Sequence, residues 1–125
     1  MLLPLFSDIL NGKGVVTVLP YTISEIERRV APVAEKYRLS AVYLFGSYAR
    51  GEASAESDID LIVDLSGSTV HGLTFVSLQH DLEQALEKNV DLVTLDSLEQ
   101  PTTRRGRLHF RETVRRERKM IYAAA

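Results

Sequence analysis

Between Ala41 and Leu65 the chain carries two short apolar runs, Ala41 to Phe45 and Asp58 to Leu65, with helical periodicity before and after them. Runs rich in strand formers that alternate with amphipathic helices constrain a chain to a sheet with helices packed on it. Upstream, Ile26, Val30, Val33, Ala34 and Tyr37 recur at helical spacing, and Thr22 with Glu25 has the form of a capping box. Pro32 falls inside this helix and should kink it or reduce its stability. Downstream, Phe75, Leu78, Leu82 and Leu86 predict a helix within Leu73 to Glu87, and Val90 to Leu95 reads as a third strand. Beyond Pro101 a basic tail reads as helical to near Tyr122, with Leu108, Val114 and Ile121 as its packing residues. The order is helix, strand, short helix, strand, helix, strand, helix, which predicts an α/β domain with a sheet of at least three strands.

A length of 125 residues suits one domain, able to bury roughly two-thirds of its unfolded surface. Cysteine is absent, which excludes disulfides and thiolate metal sites and suits a reducing compartment. Residues 1–21 form a leader or arm of uncertain structure, in which Val15 to Leu19 reads as a short strand, a docking arm or a partly disordered stretch. The leader has no basic start and carries Asp8 early, so it is a poor secretory signal. No apolar run approaches the roughly eighteen residues of a membrane span, and the expected location is cytoplasmic. The net charge of −2 hides an asymmetry: Arg104 to Lys119 holds eight basic and two acidic residues, a local +6, against −8 elsewhere. Such a basic end suits an acidic partner, a nucleic acid or a triphosphate; a solvated helix face explains it equally well.

The chemistry is concentrated in Gly46-Ser47 and Asp58-Ile59-Asp60, with ten residues between them. Asp58 and Asp60, two apart on a strand, leave the same face with Cα atoms about 7 Å apart. Two carboxylates aimed at one point repel unless a cation lies between them, and Mg²⁺ takes oxygen ligands of this kind. Asp91, at the start of the third strand, is the best candidate for a third carboxylate. Asp64 shares the face but lies at the far end of the strand and reads as a surface or turn residue. Gly46 lets the backbone approach a ligand, and Ser47 is placed to cap a short helical turn. The Ser47 and Tyr48 amides can then hold phosphate oxygens, while Arg50 can clamp a phosphate or the acceptor. Tyr48 either stacks on a base or packs beside the loop. His71, His80 and His109 lack metal-ligand spacing and read as surface or packing residues. The plain alternative is a strand–turn–strand whose aspartates merely face water.

The segments Leu44-Phe45-Gly46-Ser47-Tyr48-Ala49-Arg50-Gly51, Ser57-Asp58-Ile59-Asp60-Leu61 and Val90-Asp91-Leu92-Val93 resemble the minimal nucleotidyltransferases of the DNA polymerase β superfamily. The resemblance covers roughly residues 22 to 122 and implies a polymerase β-like fold over 22–125, a small mixed sheet packed with helices. It further implies ATP as donor, a two-metal Mg²⁺ site, and transfer of AMP with release of pyrophosphate. By matching position, Gly46, Ser47 and Arg50 would bind the nucleotide, and Asp58, Asp60 and Asp91 would hold the metals and carry the chemistry. Stand-alone members of this size resemble antitoxins that modify a tyrosine of a HEPN-domain toxin RNase with AMP, implying a hetero-oligomer. Two other readings stay open: an antitoxin that neutralises its toxin by binding alone, and a transferase acting on RNA ends or a small molecule. The basic tail keeps RNA in view. The long leader and arginine-rich tail depart from the usual pattern of the family.

Overall fold

The computed structural model describes residues 8–10, 16–18 and 20–125. Within the leader, β1 (Asp8–Leu10) and β2 (Val16–Val18) pair antiparallel as a two-stranded sheet of their own. The short-strand reading of Val15 to Leu19 therefore fits its central residues, while residues 1–7, 11–15 and 19 lie outside the described residues.

Helix α1 (Ile23–Lys36) opens on a complete capping box. The Thr22 hydroxyl accepts from the Glu25 amide at 3.1 Å, and the Glu25 carboxylate accepts from the Thr22 amide at 2.9 Å. Ile26, Val30 and Ala34, each four residues from the next, are fully buried. Pro32 stands exposed, and the helix continues past it. Burying Ile26 and Val30 contributes about 1.5–3 kcal/mol apiece, enough to carry the helix through an interruption that costs about 3 kcal/mol.

The chain then forms β3 (Ala41–Phe45), α2 (Gly46–Arg50), β4 (Ile59–Asp64), α3 (Leu73–Leu86) and β5 (Val90–Thr94). Strand β4 runs antiparallel to β3 and parallel to β5. Alternation divides the sheet residues between two faces. Val42 and Leu44 of β3, and Ile59, Leu61 and Val63 of β4, join Leu78, Leu82 and Leu86 of α3 and the buried face of α1 in one core. Contacts from α1 and its approach also tie down the end of α3. The Arg29 guanidinium donates to the Ala85 carbonyl at 3.1 Å and the Tyr21 hydroxyl to that of Leu86 at 2.8 Å, satisfying carbonyls that a helix end leaves open.

The opposite face carries Tyr43, Phe45 and Ile62, and the basic tail lies against it. After the single turn α4 (Leu95–Leu98), capped by the Thr94 hydroxyl accepting from the Ser97 amide, α5 spans Arg105–Glu117. Phe110 meets Phe45 edge-on with ring centres 5.6 Å apart, and Val114 is buried. Glu99 and Arg115 join α4 and α5 through an ion pair at 2.9 Å.

The tail departs from the expected helix to Tyr122. Arg118 is extended, and Lys119–Ala123 forms β6, antiparallel to β3, giving a four-stranded sheet in the order β5-β4-β3-β6. An unpaired β3 edge would leave backbone groups without partners, and Met120-Ile121-Tyr122 contains good strand formers. The register shifts between Val42, opposite Tyr122, and Tyr43, opposite Met120, which leaves Ile121 as the extra residue of a bulge. That shift accompanies burial of Ile121 in the core, whereas Met120 remains exposed. Among the described residues, no helix is long and apolar enough to cross a membrane.

This difference predicts that Ile121→Ala lowers unfolding stability by about 2–5 kcal/mol and Met120→Ala by less than about 1 kcal/mol, measured by urea denaturation. Equal, small effects would contradict the bulged strand.

Candidate active site

The site forms where three elements end or begin together. Strand β3 delivers the chain into α2 at Gly46, β4 brings Asp60 beside that turn, and β5 brings Asp91 beside Asp60. Phe45 and Asp60 are register partners across the antiparallel pair, and Asp60 and Asp91 across the parallel pair. Paired residues of adjacent strands place their side chains on one face, so the two carboxyl groups meet.

Gly46 shapes the near side of this meeting point. Its φ of +75° lies in the left-handed region that favours glycine. A side-chain Cβ there would overlap Oδ2 of Asp60 and stand 3.1 Å from its Cγ. The glycine thus serves two needs at once, the turn into α2 and the close approach to a carboxylate.

Ser47 occupies a different position from the expected cap. Phe45 holds the N-cap position of α2 and supplies no side-chain bond, while Ser47 lies within the helix, half-buried. Phenylalanine has no oxygen with which to cap, so the first amides of α2 depend on other partners. Tyr48 is buried in the core rather than presented to a ligand; burial raises its pKa, and its hydroxyl has no hydrogen-bond partner among the described residues. Arg50 is held by Glu52 at 2.7 Å and by Glu117 of α5 at 3.4 Å. These are exposed pairs of small energy, so they orient Arg50 without fixing it.

The three carboxylates do not meet equally. Asp60 is half-buried and Asp91 exposed beside it. Asp58 falls one residue before β4 and lines a neighbouring hollow with Glu56, Glu83 and Lys88. The Lys88 ammonium donates to the Ala55 carbonyl at 2.7 Å and so pins the polar loop that leads to Asp58. Among the described residues, no three histidine, aspartate or glutamate side chains converge closely enough to hold an ion. Asp60 and Asp91 supply hard oxygen donors that suit Mg²⁺, and Asp58, whose charge acts on Asp60, is the third carboxylate nearby.

Electrostatics record the crowding. The Asp60 pKa is raised from 3.8 to about 6, first by burial, then by the hydrogen bond its protonated form donates to Asp91. The charges of Asp91 and Asp58 add to the rise, and Arg50 opposes it. Asp64, by contrast, accepts from the Ser66 amide at 3.0 Å and its hydroxyl at 2.7 Å, as a turn residue does. His71, His80 and His109 are exposed and apart from the site.

Beyond the carboxylates the sheet face opens into a hollow of about 320 Å³. Asp60 and Asp91 line one side of it; Phe45, Ile62, Leu92, Val93, Leu98, Phe110 and Val114 supply the apolar remainder. The sequence reading missed this hollow. Its trace in the chain is Val114 of the basic tail, which spacing alone reads as a packing residue.

Since the folded-state pKa of Asp60 lies above its ordinary value, the site's contribution to stability is complete below about pH 4 and is lost as pH rises through 6. Metal-free protein should therefore lose stability between pH 4 and 6 relative to Asp60→Asn, whose neutral amide does not titrate. Parallel thermal-melting curves of the two proteins across this range would count against the carboxylate contact.

Comparison with known proteins gives a consistent family. A Methanocaldococcus jannaschii protein, MJ0435, is 40% identical over 76 residues, spanning 61% of this chain and 81% of its own. The protein adenylyltransferase MntA of Thermococcus cleftensis is 37% identical over 81 residues, spanning 62% of this chain and 81% of its own. A crystal structure of a toxin–antitoxin with AMP-PNP is similar in fold, with a TM-score of 0.58 and 25% identity over 78% of this chain and 73% of the other. The polymerase beta nucleotidyltransferase family model matches residues 28–123, from α1 through β6, and the chain is a nucleotidyltransferase of that family.

Proposed function

We propose that this protein transfers AMP from ATP to a tyrosine hydroxyl of a HEPN-family toxin RNase, and so acts as the antitoxin of a pair. The observation that carries this reading is the Asp60–Asp91 carboxyl contact with the Gly46 turn set against it. The likeness to a protein adenylyltransferase and to a toxin–antitoxin structure supports the choice of donor and partner.

In this reading Gly46, Ser47 and Arg50 receive the triphosphate, Arg50 exchanging its exposed glutamate partners for phosphate oxygens. Asp60 and Asp91, with Asp58 as a third carboxylate, would hold Mg²⁺. When bound, Mg²⁺ supplies positive charge against the phosphate oxygens and the leaving pyrophosphate. The acceptor oxygen attacks the α-phosphorus and forms a new phosphorus–oxygen bond. The bond from the α-phosphorus to the oxygen bridging to the β-phosphate breaks, and pyrophosphate departs with that electron pair. The phenolic proton passes to a carboxylate oxygen of Asp91, which is exposed beside Asp60.

A second reading, neutralisation by binding alone, draws on the position of Asp58, which precedes β4 and does not close a three-carboxylate cluster with Asp60 and Asp91 among the described residues. The two readings separate cleanly. With Mg²⁺ and labelled ATP, the protein should label its toxin, and Asp60→Asn with Asp91→Asn should lower labelling by at least about a thousandfold. Full neutralisation of the toxin by the double variant, without added AMP, would favour occlusion.

Gly46→Ala tests the cradle by itself. The substitution should cost about 1 kcal/mol through its left-handed backbone and push the Asp60 carboxylate aside. Transfer should fall about 10- to 100-fold, because a displacement near 1 Å is that expensive at a reacting centre. Initial rates at saturating ATP check it, and an unchanged rate would remove Gly46 from the site.

A further inference from the structure

We propose that the apolar hollow beside Asp60 and Asp91 seats the ring of the acceptor side chain, and that the arginine shelf next to it binds an acidic residue flanking that acceptor. The inference rests on the transferase reading and adds the local chemistry of the substrate segment: an aromatic hydroxyl set among carboxylates.

Three observations carry it. First, the two carboxylates line one side of the hollow and apolar side chains the rest. A phenol seated there presents its hydroxyl as a donor to Asp60 or Asp91 and buries its ring against Phe45 and Phe110. The Gly46–Ser47 turn abuts Asp60 but contributes nothing to the hollow, so the nucleotide cradle and the hollow are separate.

Second, the rim is apolar and open. Phe110 is 46% and Val93 40% exposed, and both line the one hollow. Third, a second depression of about 220 Å³ shares Leu98 and Phe110 with the first and is otherwise lined by Ser97, Arg107 and Arg111. Arg107 is exposed and makes no ion pair among the described residues. Arg111 gives one Nη to the Gln100 carbonyl at 3.0 Å, while its buried Nε has no partner. An extended segment advances about 3.4 Å per residue, so a residue one or two positions from the ring can reach this shelf. The guanidinium groups there select a carboxylate over an ammonium.

Fluorescence anisotropy with short labelled synthetic peptides tests the proposal. A tyrosine peptide flanked by glutamates should bind at least about 10-fold tighter than the same peptide flanked by lysines. Replacing its tyrosine by alanine, or using Phe110→Ala protein, should weaken binding about fivefold or more, while AMP-PNP affinity stays unchanged. Arg107→Glu should reverse the preference toward the lysine peptide. Both substituted residues are exposed, and matching melting temperatures would show that the variants fold. Undetectable binding of the acidic peptide, charge-independent binding, or a Phe110→Ala effect on AMP-PNP alone would overturn the proposal. Each of those outcomes leaves AMP transfer to the toxin as a separate measurement; a toxin that stays unlabelled while acidic peptides bind would instead overturn the transferase reading.

Discussion

The parallel pairing of β4 with β5 is the constraint on which the site depends. It sets Asp60 opposite Asp91, and a slip of one residue would send one of these carboxylates to the helix-covered face. The register is held by the core rather than by the site. Ile59, Leu61 and Val63 are buried in the core shared with α1 and α3, and a slip of one residue would turn all three to the opposite face. The same pairing brings Val90 against α3, where the Gln79 amide donates to its carbonyl and the Glu83 carboxylate accepts from its amide. Two carboxyl groups that repel each other are thus kept together by apolar contacts on the opposite side of the sheet.

That division of labour explains the electrostatics. Burying a carboxylate beside another is unfavourable, and the raised pKa of Asp60 measures the conflict. Conflicts of this kind persist where the surrounding fold over-determines the geometry and where a ligand relieves them. Gly46 intensifies the crowding, because only a residue without a Cβ leaves space for Asp60 where the chain turns. Arg50 tempers it from a distance, with its own exposed partners ready to be exchanged.

Much of this is legible in the sequence. The capping box of α1, strands β3 to β5 and helix α3 follow from periodicity, since each buries a face with a clear repeat. Asp60, Asp91 and Gly46 come together as their places at strand ends suggested. Other features needed the third dimension. Asp58 sits outside the strand because β4 begins at Ile59, a boundary no spacing fixes to one residue. Lys119–Ala123 reads as the end of a basic helix by composition, yet the open edge of β3 recruits it as a strand. Tyr48 could equally have faced a ligand, and the rotation of a five-residue helix decided that it faces the core. The apolar hollow draws its lining from strands, a turn and α5, so no local pattern announces it.

The order of the sheet has a consequence for how the molecule assembles. Strands β3, β4 and β5 and helix α2 are close in sequence, so their contacts close short loops. Strand β6 must instead return from residue 123 to residue 41 to complete the sheet. Long-range pairings form late because chain entropy opposes them until the rest is in place. Helix α5 lies on that returning segment and carries Phe110, Arg107 and Glu117 with it. A folding chain would then possess the carboxylate pair and its glycine turn before it gains the roof of the hollow. Under the proposed reading, the part that would hold phosphate is built into the local fold, and the part that would choose what receives it is added when the chain closes.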